Sequence, residues 1–361
     1  MHTVNNLYDK IADKENIRIA INIAARRKRK KRIVQKVLKN PEYYVQLIHE
    51  QLANETWRPR KVHNMKEIND GVQSKKREIV CPEFVNEQIV HHSIMNVCRP
   101  VFTKKFYEYS CASIPGRGTD TALKYIRKAV KSKKAKYFAV LDIRKFFSSL
   151  RPSVVFHELR RHIRDKRTLM LFTRILRSNK VKDSNNTVTK KKGVLLGFYT
   201  SPWFANIVLN PLDHLIKEMG VPFYVRYNDD MLLMHSNKRK LKKVLQFIVL
   251  WLHSKHLQEK NTPQIHKLKD VTIKYIGFSI TPQKIVLQSK VFLKVKRTAS
   301  RIHKKNKITL YDARRITSYS GRFKHVNAWK SFLRYVNNKV PIRKCRKIIS
   351  ERSRYDVAES I

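Results

Sequence analysis

Residues 221–234 read VPFYVRYNDDMLLM, and this stretch decides the fold. Two apolar runs, VPFYV and MLLM, enclose the adjacent carboxylates of Asp229 and Asp230. Adjacent carboxylates in an apolar segment are costly unless a positive group or ion holds them. The pattern therefore predicts two paired strands joined by a tight turn, with both acids at the tip of the hairpin.

A third carboxylate, Asp142, ends the apolar run KYFAVLD, residues 136–142, which also predicts a strand. One acid at a strand end and two at a hairpin turn supply the hard oxygen ligands that Mg²⁺ prefers, alongside substrate phosphates. Two such ions can stabilise the attacking and the leaving oxygen of an in-line phosphoryl displacement. The three aspartates thus predict a phosphoryl-transfer site with two Mg²⁺ ions, for which Mn²⁺ could substitute.

The charge of the chain points to a polyanionic partner. The 361 residues include 79 Lys and Arg against 27 Asp and Glu, a formal charge of +52, while 42% are hydrophobic, enough for a core. Such self-repulsion is relieved by nucleic acid or by an anionic membrane surface. Because the sequence has no long uncharged apolar run, signal peptide or lipidation pattern, we expect nucleic acid rather than a membrane, and a cytoplasm-like compartment.

Cysteine and histidine patterns do not predict a metal centre. None of the four cysteines has CxxC spacing, so zinc is not expected and the thiols are interpreted as reduced. His91 and His92 lack acidic or thiol partners at ligand spacing and are interpreted as structural. Trp203 and Trp251 are interpreted as core residues.

Strands and helices alternate along the chain, which predicts a mixed α/β (α+β) fold. Several local predictions can be checked individually. Pro41 opens a helix, the basic run ARRKRKKR at 25–32 belongs to the first helix, Asp70-Gly71 marks a hairpin, and Thr119 caps a helix. Further along we expect helices over 152–178, a basic loop over 179–192, a single strand VTIKYIGFSI over 271–280, and a basic helical tail from about 290.

The motifs resemble those of reverse transcriptases, in the order found in that family. They are KKREIVCP (75–82), SCASIPGRGTDTALKYI (110–126), AVLDIRKFFSSL (139–150), LGFYTSPWFAN (196–206), YNDD (227–230), LQEKNT (257–262), IKYIGFSI (273–280) and SYSGRFKHVNAWK (318–330). Any one of these would be a weak signal, but their order makes the resemblance strong.

The resemblance implies a right-hand polymerase with fingers, palm and thumb, preceded by a basic helical extension. The implied domains are the extension (1–54), the fingers (55–136), the palm (137–288, with a fingers insertion at about 151–192) and the helical thumb (289–361).

The resemblance also implies site residues. The catalytic set is Asp142, Asp229, Asp230 and Lys260, and the Mg²⁺ ligands are the same aspartates with Ile143. The implied dNTP contacts are Arg77, Lys75, Ile143, Phe147, Leu196, Gly197 and Tyr227. The implied nucleic-acid contacts are Arg26, Arg27, Lys28, Arg29, Lys30, Arg117, Ser201, Lys294, Lys296 and Arg297.

Individual roles follow from side-chain chemistry within that resemblance. Arg77 is expected to bind the triphosphate through its guanidinium fork. Phe147 is expected to exclude a 2′-hydroxyl and so to select dNTPs, and Lys260 to give a proton to departing pyrophosphate. For each residue a bland alternative stays open: a solvated basic strand at Arg77, a core ring at Phe147 and a surface lysine at Lys260.

Leu196 carries the hypothesis on fidelity. Most reverse transcriptases have glutamine at this position, and an aliphatic residue is typical of diversity-generating retroelement enzymes. A leucine side chain cannot donate a hydrogen bond, so the selection of the correct nucleotide should be less strict. The resemblance implies that errors occur opposite adenine in the template. The alternative is that Leu196 only packs.

The subclass and partners remain a set of alternatives. Leu196-Gly197 matches the diversity-generating form, whereas Ser201-Pro202 matches the general one. A retron-like or phage-defence enzyme, or a non-catalytic RNA-binding scaffold with a polymerase fold, is the alternative. The implied partners are a structured cognate RNA, an RNA/DNA primer-template, dNTPs and a small basic accessory protein.

Overall fold

The computed structural model describes residues 4–70, 75–183, 185–326 and 328–355, with the backbone alone described at 69, 70, 75, 76 and 352–355. Within these residues no helix is both long enough and apolar enough to cross a membrane.

The N-terminal segment is helical, and Pro41 begins a helix as predicted. Its helices are α1 (Tyr8–Ala12), α2 (Lys14–Ala25), α3 (Arg32–Lys39) and α4 (Pro41–Ala53). The prediction that the basic run 25–32 is helical is wrong for most of its length, because α2 ends at Ala25 and Arg27 is left-handed at φ +61°. Like charges three and four positions apart repel one another on a helix, which favours a loop here.

The next segment contains a long antiparallel hairpin followed by helices. Its elements are β1 (His63–Asp70), β2 (Lys75–Val80), a π-helix (Phe84–Ile89), α5 (Val90–Thr103) and α6 (Thr119–Ala129). β1 and β2 pair up to Asp70 opposite Lys75, so the predicted hairpin is confirmed, although Gly71 lies outside the described residues. The prediction that Thr119 caps α6 is wrong, since the N-cap is Gly118 and no side chain caps the helix.

The central segment begins with the predicted strand that ends at Asp142. Its elements are β3 (Tyr137–Asp142), α7 (Phe146–Ser149), α8 (Pro152–Arg160), α9 (Lys166–Arg177), β4 (Lys180–Lys182) and β5 (Val188–Lys190). The predicted basic loop at 179–192 instead contains the hairpin β4–β5. Val181 is fully buried and pairs with His63, which gives the sheet order β2-β1-β4-β5.

The acid hairpin forms as predicted and lies in a second sheet. The elements here are α10 (Ser201–Glu218), β6 (Phe223–Tyr227), β7 (Asp230–His235), α11 (Lys238–Ser254) and β8 (Ile265–Lys267). The strands run antiparallel in the order β6-β7-β3-β8. β3 and β7 are therefore the inner strands, and their ends bring Asp142 beside Asp230.

Both faces of this sheet are covered, which explains why its strands are continuous apolar runs. Successive side chains point to opposite faces of a strand. On β7, Met231 and Leu233 join a core shared with the N-terminal helices, α10 and α11. Leu232 and Met234 join a second core shared with α6 and the C-terminal segment.

The C-terminal segment is a small sheet followed by helices. The helices agree with the basic helical tail that the sequence predicts from about residue 290. Its elements are β9 (Ile273–Tyr275), β10 (Phe278–Ile280), β11 (Ile285–Leu287), α12 (Ser289–His303), α13 (Leu310–Ser320), a 3₁₀-helix (Gly321–His325), α14 (Trp329–Phe332), a π-helix (Leu333–Asn337) and α15 (Ile342–Tyr355). The single strand predicted over 271–280 is wrong. Ile276 and Gly277 have φ of +42° and +90° and turn the chain into the hairpin β9–β10.

Candidate active site

The tip of the β6–β7 hairpin and the end of β3 bring three aspartates together. Asp142 and Asp230 are direct cross-strand partners, and Tyr227 pairs with Asp230 across the hairpin. The turn is therefore Asn228-Asp229, with Asn228 in the left-handed region at φ +55°. Asparagine tolerates that conformation better than most residues. Directly opposed residues of antiparallel strands have Cα atoms about 4.5–5.5 Å apart, so the carboxylates share one small space.

The electrostatics of the site show how close the acids are. Burial raises the pKa of Asp229, and the neighbouring carboxyl of Asp142, near enough to share a hydrogen bond, raises it further. The charge of Arg77 acts in the opposite direction. Two carboxylates that share a site disfavour each other's charged form, which is what a nearby cation relieves.

Lys260 supplies one such cation. Its Nζ lies 2.6 Å from Oδ2 of Asp142, and its backbone N–H donates to the carbonyl oxygen of Asp142 at 2.8 Å. The hydrogen bond to Asp142 raises the pKa of Lys260. Next to this contact, Ile143 forms a β-bridge with Glu259, and the N–H of Arg144 donates to Gln258. The loop that carries Lys260 is thus held against the end of β3.

The carboxylate oxygens at this site are the type of ligand that a divalent cation such as Mg²⁺ prefers. Among the residues that the structure describes, no cluster of three or more Asp, Glu, His or Cys side chains is close enough to hold a metal ion. Asp142 is hydrogen-bonded to Lys260, while Asp229 is half-buried with a raised pKa. The arrangement is an oxygen-only pair of opposed carboxylates, which is the chemistry that Mg²⁺ and Mn²⁺ prefer.

A buried ion pair anchors the hairpin, and the sequence analysis missed it. Arg226, 1% exposed, makes a bidentate contact with the fully buried Asp213 of α10, at 2.8 Å from Nε and 2.6 Å from Nη2. Its guanidinium also donates to Asn206, to Ser110 and to the carbonyl oxygen of Asn228 at 3.0 Å. The turn that carries Asp229 is therefore bonded directly to a fixed, buried cation.

Further contacts hold the hairpin from the C-terminal segment and from α6. The hydroxyl of Tyr275 on β9 donates to the carbonyl oxygen of Asp230 at 2.9 Å, and it lies 3.3 Å from that of Val225. The hydroxyl of Thr119 lies 3.4 Å from that of Tyr227. Of these supporting contacts, only the ion pair of Arg226 and Asp213 had a signal in the sequence. A single charge within an apolar strand or helix requires a buried partner.

The strand that carries Arg77 meets the loop that carries Leu196. The N–H of Val80 donates to the carbonyl oxygen of Leu196 at 2.8 Å. Gly197 has φ +115°, and a Cβ there would lie 2.1 Å from the carbonyl oxygen of Val80. Only glycine allows this approach. Arg77 is exposed three residues before Val80, and the side chain of Lys75 lies outside the described part of the chain.

Phe146 and Phe147 differ in burial. Phe146 is 2% exposed and belongs to the core, while Phe147 is half-buried and packs against the edge of the core. Gly193 lies so close that a Cβ there would be 2.5 Å from the carbonyl oxygen of Phe147. The ring that follows Asp142 by five residues is thus partly accessible to solvent.

Two of the predicted nucleic-acid contacts are used inside the fold. Ser201 is fully buried and its hydroxyl donates to the carbonyl oxygen of Leu195 at 2.5 Å, so that hydroxyl has its partner within the fold. Arg117 is half-buried and donates to the carbonyl oxygen of Tyr107 at 2.7 Å, which ties its guanidinium to the loop before α6.

The other predicted contacts lie in two basic regions. In the loop between α2 and α3, Lys28 contacts Gln88 and Lys30 donates to the carbonyl oxygen of Ser350 at 2.7 Å. The neighbouring side chains are exposed, namely Arg26, Arg27 and Arg29. On α12, Arg297 is exposed, Lys294 is half-buried, and Lys296 lies 4.7 Å above the ring of Tyr335.

Comparison with known proteins agrees with this geometry. Residues 66–280 match the family model described as reverse transcriptase (RNA-dependent DNA polymerase). Among solved structures, telomerase from Candida tropicalis in complex with the TWJ fragment of telomeric RNA aligns with a TM-score of 0.50 and 12% identity over 79% of this chain and 58% of that one. Apo telomerase from the same species, truncated from the C-terminal domain, aligns with a TM-score of 0.48 and 16% identity over 63% and 55%. No curated protein matches the sequence. The chain spans somewhat more than half the length of these telomerases, and the likeness concerns the fold alone.

Proposed function

The chain belongs to the reverse transcriptase family, and from that membership we propose that it is an RNA-directed DNA polymerase that extends a primer with dNTPs on an RNA template. The observation that carries the proposal is the register that sets Asp142 opposite Asp230, with Asp229 in the adjoining turn, where the carboxyl of Asp142 raises its pKa. A non-catalytic scaffold would not need this convergence of carboxylates.

In this proposal each residue at the site has a task. Asp142, Asp229 and Asp230, with the carbonyl of Ile143, would hold Mg²⁺. When bound, two Mg²⁺ ions would stabilise the attacking and leaving oxygens of nucleotidyl transfer. Lys260 would leave Asp142 and give a proton to pyrophosphate.

The residues around the acids would select and place the nucleotide. Arg77, whose charge opposes the rise in the pKa of Asp229, would bind the triphosphate. Phe147 would exclude a 2′-hydroxyl, and Gly197 would let the backbone approach the template-primer. Tyr227 would pack beneath the primer terminus.

Primer extension tests the proposal. The double substitution Asp229→Ala with Asp230→Ala should abolish extension of a DNA primer on an RNA template. Because the basic surfaces are untouched, RNA binding measured by filter retention should stay within about twofold of wild type. Extension by the double variant at the wild-type rate, or a wild-type chain that never extends a primer with Mg²⁺ and dNTPs, would overturn the assignment.

We further propose that synthesis is of low fidelity because Leu196 replaces a hydrogen-bonding residue at the nucleotide site. The backbone contact of Leu196 with Val80 supports a position beside the strand of Arg77. Leu196→Gln should lower the misincorporation frequency opposite template adenine by roughly tenfold, which sequencing of the cDNA would measure. Equal error frequencies for the two proteins would retire this part of the proposal.

The biological setting that we propose is a diversity-generating retroelement in the cytoplasm of a bacterial or phage-infected cell. The support is Leu196-Gly197 together with the exposed basic loop, which suits a structured cognate RNA. A small basic accessory protein belongs to the same proposal, as does the division into extension (1–54), fingers (55–136), palm (137–288) and thumb (289–361). Sequencing of the RNA that copurifies with the chain tests it, because a retron-like or phage-defence enzyme would carry an RNA without a variable-repeat template.

A further inference from the structure

The loop that carries Leu196 is fixed by a ring cluster behind it. Phe198, 4% exposed, is the next residue but one after Leu196. The rings of His63 on β1 and His91 on α5 each approach the Phe198 ring at 5.0 Å between centroids, with interplanar angles of 73° and 78°. Edge-to-face contacts of this kind are favourable and directional. Two histidine rings therefore define where Phe198 lies.

The two histidines are held in different ways. Nε2 of His63 lies 2.5 Å from Oε1 of the buried Glu87, whose carboxylate also accepts the N–H of Glu83 at 2.7 Å. His91 is completely buried, and neither of its ring nitrogens has a hydrogen-bond partner among the described residues. Burial lowers the pKa of His91 to about 4, so the ring is neutral at physiological pH. His91 thus acts on Phe198 through the shape of its ring.

The loop has little freedom between this cluster and β2. The carbonyl oxygen of Leu196 accepts the N–H of Val80, and Gly197 lies against the carbonyl of Val80. The next ring, Tyr199, lies 3.8 Å from His92 between centroids. A shift of Phe198 must therefore move Leu196 relative to the strand of Arg77.

We infer that Phe198 and His91 are positioning residues that set the place of Leu196 at the nucleotide site and so tune the binding and selection of dNTPs. The inference rests on the proposed polymerase function and extends it to residues that do not touch the substrate. Displacements at a reacting centre that originate in supporting residues can change rates strongly.

The experiment compares two buried phenylalanines that each contact a histidine ring edge-on. Phe198→Leu is the test variant. Phe102→Leu is the matched control, because Phe102 is fully buried and its ring meets His162 at 5.9 Å and 85°.

Thermal unfolding should show similar losses of stability for the two variants. Single-nucleotide insertion should show a KM for the correct dNTP raised roughly three- to tenfold by Phe198→Leu, with a smaller change in kcat and an altered misinsertion ratio. Phe102→Leu should leave these kinetic values unchanged.

Two variants of His91 test the role of its ring. His91→Phe keeps a ring and removes nitrogens that make no hydrogen bond, so its kinetics should match wild type. His91→Leu should reproduce Phe198→Leu. The inference is overturned if Phe198→Leu keeps the wild-type KM and misinsertion ratio, or if Phe102→Leu changes them equally. Failure of the wild type to extend any primer would instead refute the polymerase proposal.

Discussion

The acid hairpin and the strand of Arg77 meet at one site but are supported in opposite ways. The hairpin rests on the buried pair of Arg226 and Asp213 and on the hydroxyl of Tyr275. Strand β2 lies at one end of its sheet, exposes Arg77, and contacts the loop of Leu196 at Val80. One side of the site is fixed by buried polar bonds, and the other by backbone contacts.

This difference suits the tasks that we propose for the two sides. Carboxylates that hold metal ions must stay within a narrow geometry, which buried, fully hydrogen-bonded groups provide. A side chain that binds and releases a triphosphate must be reached from solvent. We therefore expect substitutions under the hairpin to destabilise the fold and substitutions on β2 to change substrate binding alone.

The largest expected effect is that of Arg226→Met. It leaves the carboxylate of Asp213 buried without its cation, which costs about 3–5 kcal/mol in the free energy of unfolding. Extension activity should fall as well, because the carbonyl of Asn228 loses its donor. Chemical denaturation followed by circular dichroism measures the change.

Arg60→Met is the control for that variant. Arg60 pairs with Glu83 at 2.8 Å, but the two side chains are 51% and 36% exposed, and such pairs contribute at most about 1 kcal/mol. Equal losses of stability for the two variants would contradict the account of the hairpin. A partial recovery in the double variant Arg226→Met with Asp213→Leu would sharpen it, since both buried charges are then gone.

A smaller effect, confined to substrate binding, is expected for Arg77→Ala. Loss of the guanidinium should raise the KM for dNTPs by roughly tenfold or more and leave the unfolding midpoint unchanged, because the side chain is exposed. Arg77→Lys keeps the positive charge but lacks the two-pronged guanidinium, so its KM for dNTPs should lie between those of the wild type and of Arg77→Ala. Lys190→Ala, on exposed strand β5 of the same sheet, is the control, and an equal rise in its KM would show that general basic charge suffices.

The hairpin β6–β7 could be predicted because the residues that specify it are neighbours in the sequence. Apolar runs around Asp229 and Asp230, and the run that ends at Asp142, determine strands and a turn without reference to distant residues. That Asp142 joins this pair was predicted from the ligand chemistry of Mg²⁺ and from the family resemblance, because local patterns do not state which strands become neighbours. The start of α4 at Pro41 was likewise predictable, because proline favours the first position of a helix.

Long-range pairings escaped prediction. Nothing in the spacing of Arg226 and Asp213 states that they meet, although each lies in an apolar element. The hairpin β4–β5 forms because β1 offers an edge to pair with, which the polar sequence at 179–192 does not show. The ring cluster at Phe198 joins residues more than 100 positions apart, so it too was visible only in the folded chain.

The central claim is that Asp142 and Asp229 act together on one divalent site, and Mn²⁺ binding tests it most directly. Calorimetric titration of wild type, Asp142→Asn, Asp229→Asn and the double variant gives a cycle of affinities, with thermal unfolding as the check on folding. We predict that each single substitution weakens Mn²⁺ binding by about tenfold or more and that the double variant loses little beyond either, as expected for residues in contact. Wild-type affinity in either single variant, or effects that simply add, would contradict a shared site.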